Sequence, residues 1–142
     1  MLPRWHILLG FLFSLLIYVI FPQISLISLS LVFLSSFLID FDHYLIAVIK
    51  TKKLGLFNAF AYFKKLDREE QLKLKKGIKQ RGPLMVFHTV EFHILVLLAA
   101  IFIHPLFYSI LVGMLFHSII DILSLKSRDI LYHREFFLVK KF

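Results

Sequence analysis

Two apolar runs open the chain, residues 7–21 and 24–39, and neither contains a charged side chain. Only Pro22 and Gln23 separate them. As one helix, 7–39 would reach about 50 Å at roughly 1.5 Å per residue, far beyond a hydrocarbon core of about 30 Å. Proline interrupts helices, so a hairpin turning at Pro22 fits a bilayer better. A second pair of runs, 84–103 and 105–124, breaks at Pro105. The pattern predicts an all-α integral membrane helical bundle in one domain, 1–142. Its four transmembrane helices would cover about 6–21, 24–43, 84–103 and 105–124.

Composition agrees. A mean hydropathy of +0.82 in a chain of 142 residues suits membrane spans. Disorder is excluded by 59% hydrophobic residues with 16% aromatics. There is no cysteine, which removes disulfide scaffolds, thiolate zinc sites, iron–sulfur clusters and cysteine nucleophiles. Arg4 before an apolar run has the outline of a signal peptide. No small-residue cleavage site follows, however, and the second apolar run begins at once.

The long polar segment is residues 50–82. Phe57, Phe60 and Phe63 recur at helical spacing, Leu66, Leu72, Leu74 and Ile78 follow, and Lys, Glu and Arg fill many other positions. This is an amphipathic pattern whose aromatic start suits the headgroup boundary, so an interfacial helix is expected there. The tail, 125–142, repeats the mixture in miniature.

Charge orients the bundle. Four spans put both termini and the 50–82 loop on one side of the membrane. All 17 Lys and Arg lie on that side: Arg4, those from Lys50 to Arg81, and those from Lys126 to Lys141. The opposite turns carry none. The positive-inside rule makes this side cytoplasmic, so a multi-pass cell-membrane protein with both termini in the cytoplasm is expected. The net charge of +8 is then a topology signal. No nucleic-acid motif accompanies it, and no nucleic-acid partner is expected.

The acids and histidines near the span ends carry the chemistry. A charge in the bilayer core costs roughly 2.5–3.5 kcal/mol on insertion scales, so such residues are functional candidates. His6 opens span 1. Asp40, Asp42 and His43 close span 2. His88, Glu91 and His93 lie at the start of span 3, and His117 and Asp121 near the end of span 4. All fall at the cytoplasmic ends. His117 and Asp121 are four apart, and the pairs His88/Glu91 and Asp40/His43 are three apart, so on regular helices each pair shares a face. With span 3 starting near Leu84, Glu91 would lie about 10 Å below the boundary. His93 is about 140° from His88 on an ideal helix, so the two would not aim at one ion.

Imidazoles with carboxylates and no sulfur suit Zn²⁺, with Mn²⁺ or Fe²⁺ as alternatives. The set His6, Asp40, Asp42, His43, His88, Glu91, His117 and Asp121 exceeds what one ion needs. Two divalent ions sharing a carboxylate would use most of it. Such a pair activates water and holds the oxygens of a phosphoester. A site just under the headgroups is reached most easily by an amphiphile, such as a phosphoester lipid, and a spare carboxylate, Asp42 or Glu91, would serve as general base. Membrane lipids are the expected neighbours. The rival readings are a metal-binding or metal-transporting membrane protein without catalysis, and a structural protein whose polar pairs only hold helices together. His104, at the opposite end beside Pro105, reads as interfacial. His133 in the tail either closes over the site or plays no part. There is no Gly-rich phosphate loop and no serine-hydrolase elbow.

Trp5-His-Ile-Leu-Leu-Gly10, Asp40-Phe-Asp-His43, the histidines at 88 and 93, and Gly113-Met-Leu-Phe-His-Ser-Ile-Ile-Asp121 together resemble the membrane-bound metal-dependent hydrolase family. The likeness covers nearly the whole chain outside 50–82 and the tail. It implies an intramembrane metal-dependent hydrolase, with metal or active-site roles for His6, Asp40, Asp42, His43, His88, His117 and Asp121. The His-x-x-x-Asp element is also distantly similar to zinc-dependent phospholipase C and its nuclease relatives. Two positions depart from the family pattern. Ile39 stands where Pro is common, and His88-Thr-Val-Glu-Phe-His93 stands where His-Arg-Gly-x-Thr-His-Ser is common. The family pattern favours His93 as the second span-3 ligand, whereas helix geometry favours Glu91.

Overall fold

The computed structural model describes residues 3–138. The chain is all-α: 76% helical, with no strand among the described residues. Six α-helices follow in order: α1 Pro3–Ile20, α2 Leu26–Leu38, α3 Phe41–Thr51, α4 Leu56–Lys75, α5 Val90–Phe102 and α6 Leu106–Ser127. Short 3₁₀ turns at Val86–His88 and Leu131–His133 complete the fold.

The expected breaks are present. The chain turns at Pro22, where the Ile24 amide donates to Phe21 O, and Ser25 caps α2 by accepting from the Ser28 amide. Pro105 stands at the N-cap of α6. Two helices are long and apolar enough to cross a membrane: α2 running on through α3, Leu26–Thr51, and α6. The apolar helices α1 and α5 are shorter. At 13 residues, α5 measures about 20 Å.

Span 3 differs from the expected 84–103. Residues 86–88 form a 3₁₀ turn, Thr89 adopts an extended conformation, and its hydroxyl accepts from the Phe92 amide as an N-cap. The α-helix therefore begins only at Val90, because a capping threonine favours a start at the next residue over continuation through it. Span 2 also differs from its expected end at 43. A turn at Ile39–Asp40 interrupts the helix, which resumes as α3 as far as Thr51.

The bundle is centred on α2, which packs between α1 and α6. Small residues allow the approach. A Cβ on Gly113 would lie 2.2 Å from Val32 O, and one on Gly10 would lie 2.0 Å from Ser36 Oγ. Close backbone contact through Gly and Ser is how helices pack where solvent gives no hydrophobic drive. α5 packs on α6, and α4 on α3. Polar side chains share the interior with apolar ones such as Val32, Val96 and Met114. His6, Asp42, His88, His117 and Asp121 are buried, while Leu12, Leu16, Val19, Ile94, Leu95 and Ile119 face outward.

Candidate metal centre

His117 and Ser36 show how the fold builds the site. At the turn after α2, the Asp40 amide donates to Phe37 O. The Ser36 carbonyl accepts instead from His117 Nδ1, at 2.8 Å. A carbonyl can only accept, so Nδ1 carries a proton, and in the neutral imidazole Nε2 presents a lone pair. Gly113 is one turn earlier on α6, and its missing side chain sets the helix separation that allows this contact.

His88 is oriented in the same way by a different partner. Its Nδ1 lies 3.0 Å from Asp42 Oδ2, which also accepts the Phe87 amide at 3.1 Å. A carboxylate bonded to the far nitrogen of an imidazole sets its tautomer and raises its basicity toward a metal. In the neutral ring His88 Nε2 likewise offers a lone pair. The two Nε2 atoms are 3.2 Å apart, and Asp40 Oδ1 is 3.4 Å from each. With both imidazoles neutral, three lone-pair atoms converge. Their spacing is close to the edge of a tetrahedral zinc site, about 3.3 Å for Zn–N bonds of 2.0–2.1 Å.

A second triangle adjoins the first. His6 Nε2 lies 3.2 Å from Asp121 Oδ1 and 3.9 Å from Asp40 Oδ2. The other oxygen of Asp121, Oδ2, lies 3.6 Å from His117 Nε2. Asp40 and Asp121 each turn one oxygen toward the His88/His117 pair and the other toward His6. The His6 and His117 rings stack at 4.0 Å. Asp40, His88, His117 and Asp121 alone bring ligand atoms within 4.8 Å of one another, so this buried Asp/His cluster could hold a metal ion.

Of the eight residues expected at the site, six line these triangles or orient their ligands: His6, Asp40, Asp42, His88, His117 and Asp121. His43 lies at the rim, with Nδ1 3.0 Å from Asp42 Oδ1 and 3.4 Å from Asp40 Oδ1 and its side chain 36% exposed. Glu91 is not brought into the cluster. Its Oε1 accepts the Leu138 amide at 2.9 Å. The reason is the break at Thr89: His88 precedes α5, so it does not share a regular helix face with Glu91. His93 stays apart too, with Nδ1 on Thr89 O and Nε2 accepting from the Ser118 hydroxyl. Asp42 has both oxygens engaged by His43, His88 and the Phe87 amide.

Sequence reasoning missed Arg134. From the tail, its Nη1 donates to Asp121 Oδ2 at 2.8 Å, and the side chain is only 10% exposed. In sequence it is one more basic residue of a basic tail, and nothing local marks it. The tail is strapped to the segment before α5. The Gly82 amide donates to His133 O, the Val90 amide to Phe136 O, and Arg81 pairs with Glu135 at 2.9 Å. His133 sits 2.8 Å from Glu70 and does not enter the cluster.

Comparisons of the chain with known protein families, with curated proteins and with solved structures return no match. The functional reading therefore rests on the geometry of the site.

Proposed function

We propose that this chain is a cytoplasm-facing, intramembrane metal-dependent hydrolase that cleaves a phosphoester in a lipid-like substrate. The observation that carries this reading is the convergence of two Nε2 atoms and a carboxylate oxygen, held in place by Ser36 O and Asp42. With both imidazoles deprotonated at Nε2, it is a ready ligand set for a cation.

In this reading α1, α2 with α3, α5 and α6 are four spans, α4 lies at the cytoplasmic headgroup level, and both termini are cytoplasmic. Support comes from the outward apolar faces and from the confinement of every Lys and Arg to one side. The short α5 matches a bilayer thinned beside the site. The first ion would be held by His88, His117 and Asp40, the second by His6, with Asp40 and Asp121 shared. Zn²⁺ is the first choice for three imidazoles with carboxylates, and Mn²⁺ or Fe²⁺ fit the same donors. When bound, such a pair supplies an activated water and a clamp for phosphoryl oxygens. Proton transfer falls to His43. Asp42 holds its Nδ1, and Nε2 is left to take up or release a proton at the rim. Membership of the membrane-bound metal-dependent hydrolase family is part of this reading, since the residues carrying the resemblance gather at the cluster, with His93 outside it.

Metal analysis of the purified protein, with His117→Ala/Asp121→Ala as control, tests the centre. Bound metal that disappears in the double variant is expected. No metal after supplementation, or metal retained by the variant, overturns the reading. Hydrolysis of a panel of phosphoester lipids by the loaded protein but not by the variant separates catalysis from simple metal binding or transport.

A further inference from the structure

A groove of about 300 Å³ runs between α5 and α6. Its walls are a stripe of Val90, Ile94 and Leu97 facing a stripe of Leu111, Leu115 and Ile122. From Ile122 to Leu111 is eleven residues of helix, about 16 Å, or half of a hydrocarbon core of about 30 Å. The groove therefore has the reach of one leaflet. It lies at the small end of ligand-pocket volumes, room for one chain between two helices. His88 of the metal centre and Arg134 also line it, and these two close its cytoplasmic end.

Arg134 gives that end its chemistry. A guanidinium has five N–H donors, and here Nη1 serves Asp121. The guanidinium makes no other hydrogen bond among the described residues. It is a cation that pairs with the cluster, and planar N–H donors suit phosphate oxygens. A second cleft on the apolar surface, between Phe11, Leu15 and Tyr18 of α1 and Leu29 and Phe33 of α2, has no charged lining residue. Of these two, the α5–α6 groove combines apolar depth, one-leaflet length and a cation at the mouth.

We infer that this groove seats one acyl chain of an anionic phospholipid from the cytoplasmic leaflet, and that Arg134 receives its phosphate beside the metal centre. This deepens the hydrolase reading and rests on it for the fate of the phosphoester. Chain binding itself requires only the groove and Arg134. Metal at the cluster would loosen the hold of Asp121 on Arg134 by sharing its carboxylate, which frees donors for the lipid phosphate.

The test is photo-crosslinking of the full chain in nanodiscs. Phosphatidic acid with a diazirine in its acyl chain is compared with diacylglycerol carrying the same chain. The expected label falls on Leu97, Leu111 and Leu115 and is stronger for the anionic lipid. Leu115→Trp, which fills the groove, should reduce it several-fold, whereas Leu34→Trp on the outward side of α2 should not. Arg134→Gln should abolish the preference for phosphatidic acid while chain labelling persists. Label spread evenly around the apolar surface, or unchanged in Leu115→Trp, overturns the proposal. A preference unchanged in Arg134→Gln overturns the role of Arg134. Hydrolysis of a small water-soluble phosphodiester and metal content are read in parallel. Groove labelling without metal or hydrolysis would uphold the groove and sink the hydrolase reading. Metal and hydrolysis without groove labelling would do the reverse.

Discussion

His88 and His117 point their Nε2 atoms at each other across 3.2 Å, and both Nδ1 atoms are committed elsewhere, one to Asp42 and one to the Ser36 carbonyl. Removing either imidazole should therefore remove a ligand, whereas removing Asp42 should only loosen one. His88→Ala and His117→Ala are expected to lose metal. Asp42→Asn should retain it with affinity weaker by about 10–100-fold. Competition titration with a metal chromophore reads the difference, and equal losses in all three variants would contradict these roles.

Glu91 and Asp40 have opposite expected behaviour despite being the same kind of residue. Glu91 accepts from the tail amide of Leu138, while Asp40 lies between both histidine groups. Glu91→Gln keeps an acceptor for that amide and should leave metal content unchanged. Asp40→Asn removes the charge shared by both triangles and should empty the site. Metal loss in Glu91→Gln would return that residue to the ligand set.

The two close helix approaches should respond differently to a methyl group. At Gly10 the obstacle is Ser36 Oγ, which can rotate away. At Gly113 it includes the fixed carbonyl of Val32. Gly113→Ala should therefore destabilise more than Gly10→Ala, by about 2 kcal/mol or more if α6 must shift. It should also weaken metal binding by moving His117 off Ser36 O. Thermal unfolding in detergent together with metal content checks both effects.

Metal should stabilise the fold and protons should oppose it. At free metal near 100 times the dissociation constant, the gain is about 2.7 kcal/mol. Imidazoles and carboxylates must be deprotonated to bind, so occupancy should be full at neutral pH and lost on acidification toward about pH 5. Equilibrium dialysis across that range, with chelator-treated protein as the reference for melting temperature, measures both.

The proposed orientation predicts a cytoplasmic signal from a reporter fused after residue 142 and from one inserted near Gly77, in the turn after α4. An external signal from either would overturn the proposed topology.

Much of this protein was legible in the sequence. Proline positions and charge-free runs marked the helix pairs, because proline cannot continue a helix and lipid accepts few charges. The i,i+4 spacing of His117 and Asp121 and the i,i+3 spacing of Asp40 and His43 placed those pairs together, since helix geometry alone fixes such neighbours. Three features needed the tertiary structure. Thr89 capped α5 and detached His88 from Glu91, a competition between helix propagation and a side-chain cap that periodicity does not register. Asp42 reaches His88 and the Phe87 amide from more than forty residues away, and with His43 and His88 it forms a second group that could hold a metal ion, a meeting that no local spacing registers. Arg134 reached Asp121 from 13 residues away because the tail folds back along the segment before α5. Local spacing determines which residues share a helix face. Which faces meet, and which lone pairs are left pointing at one another, is decided by packing between helices.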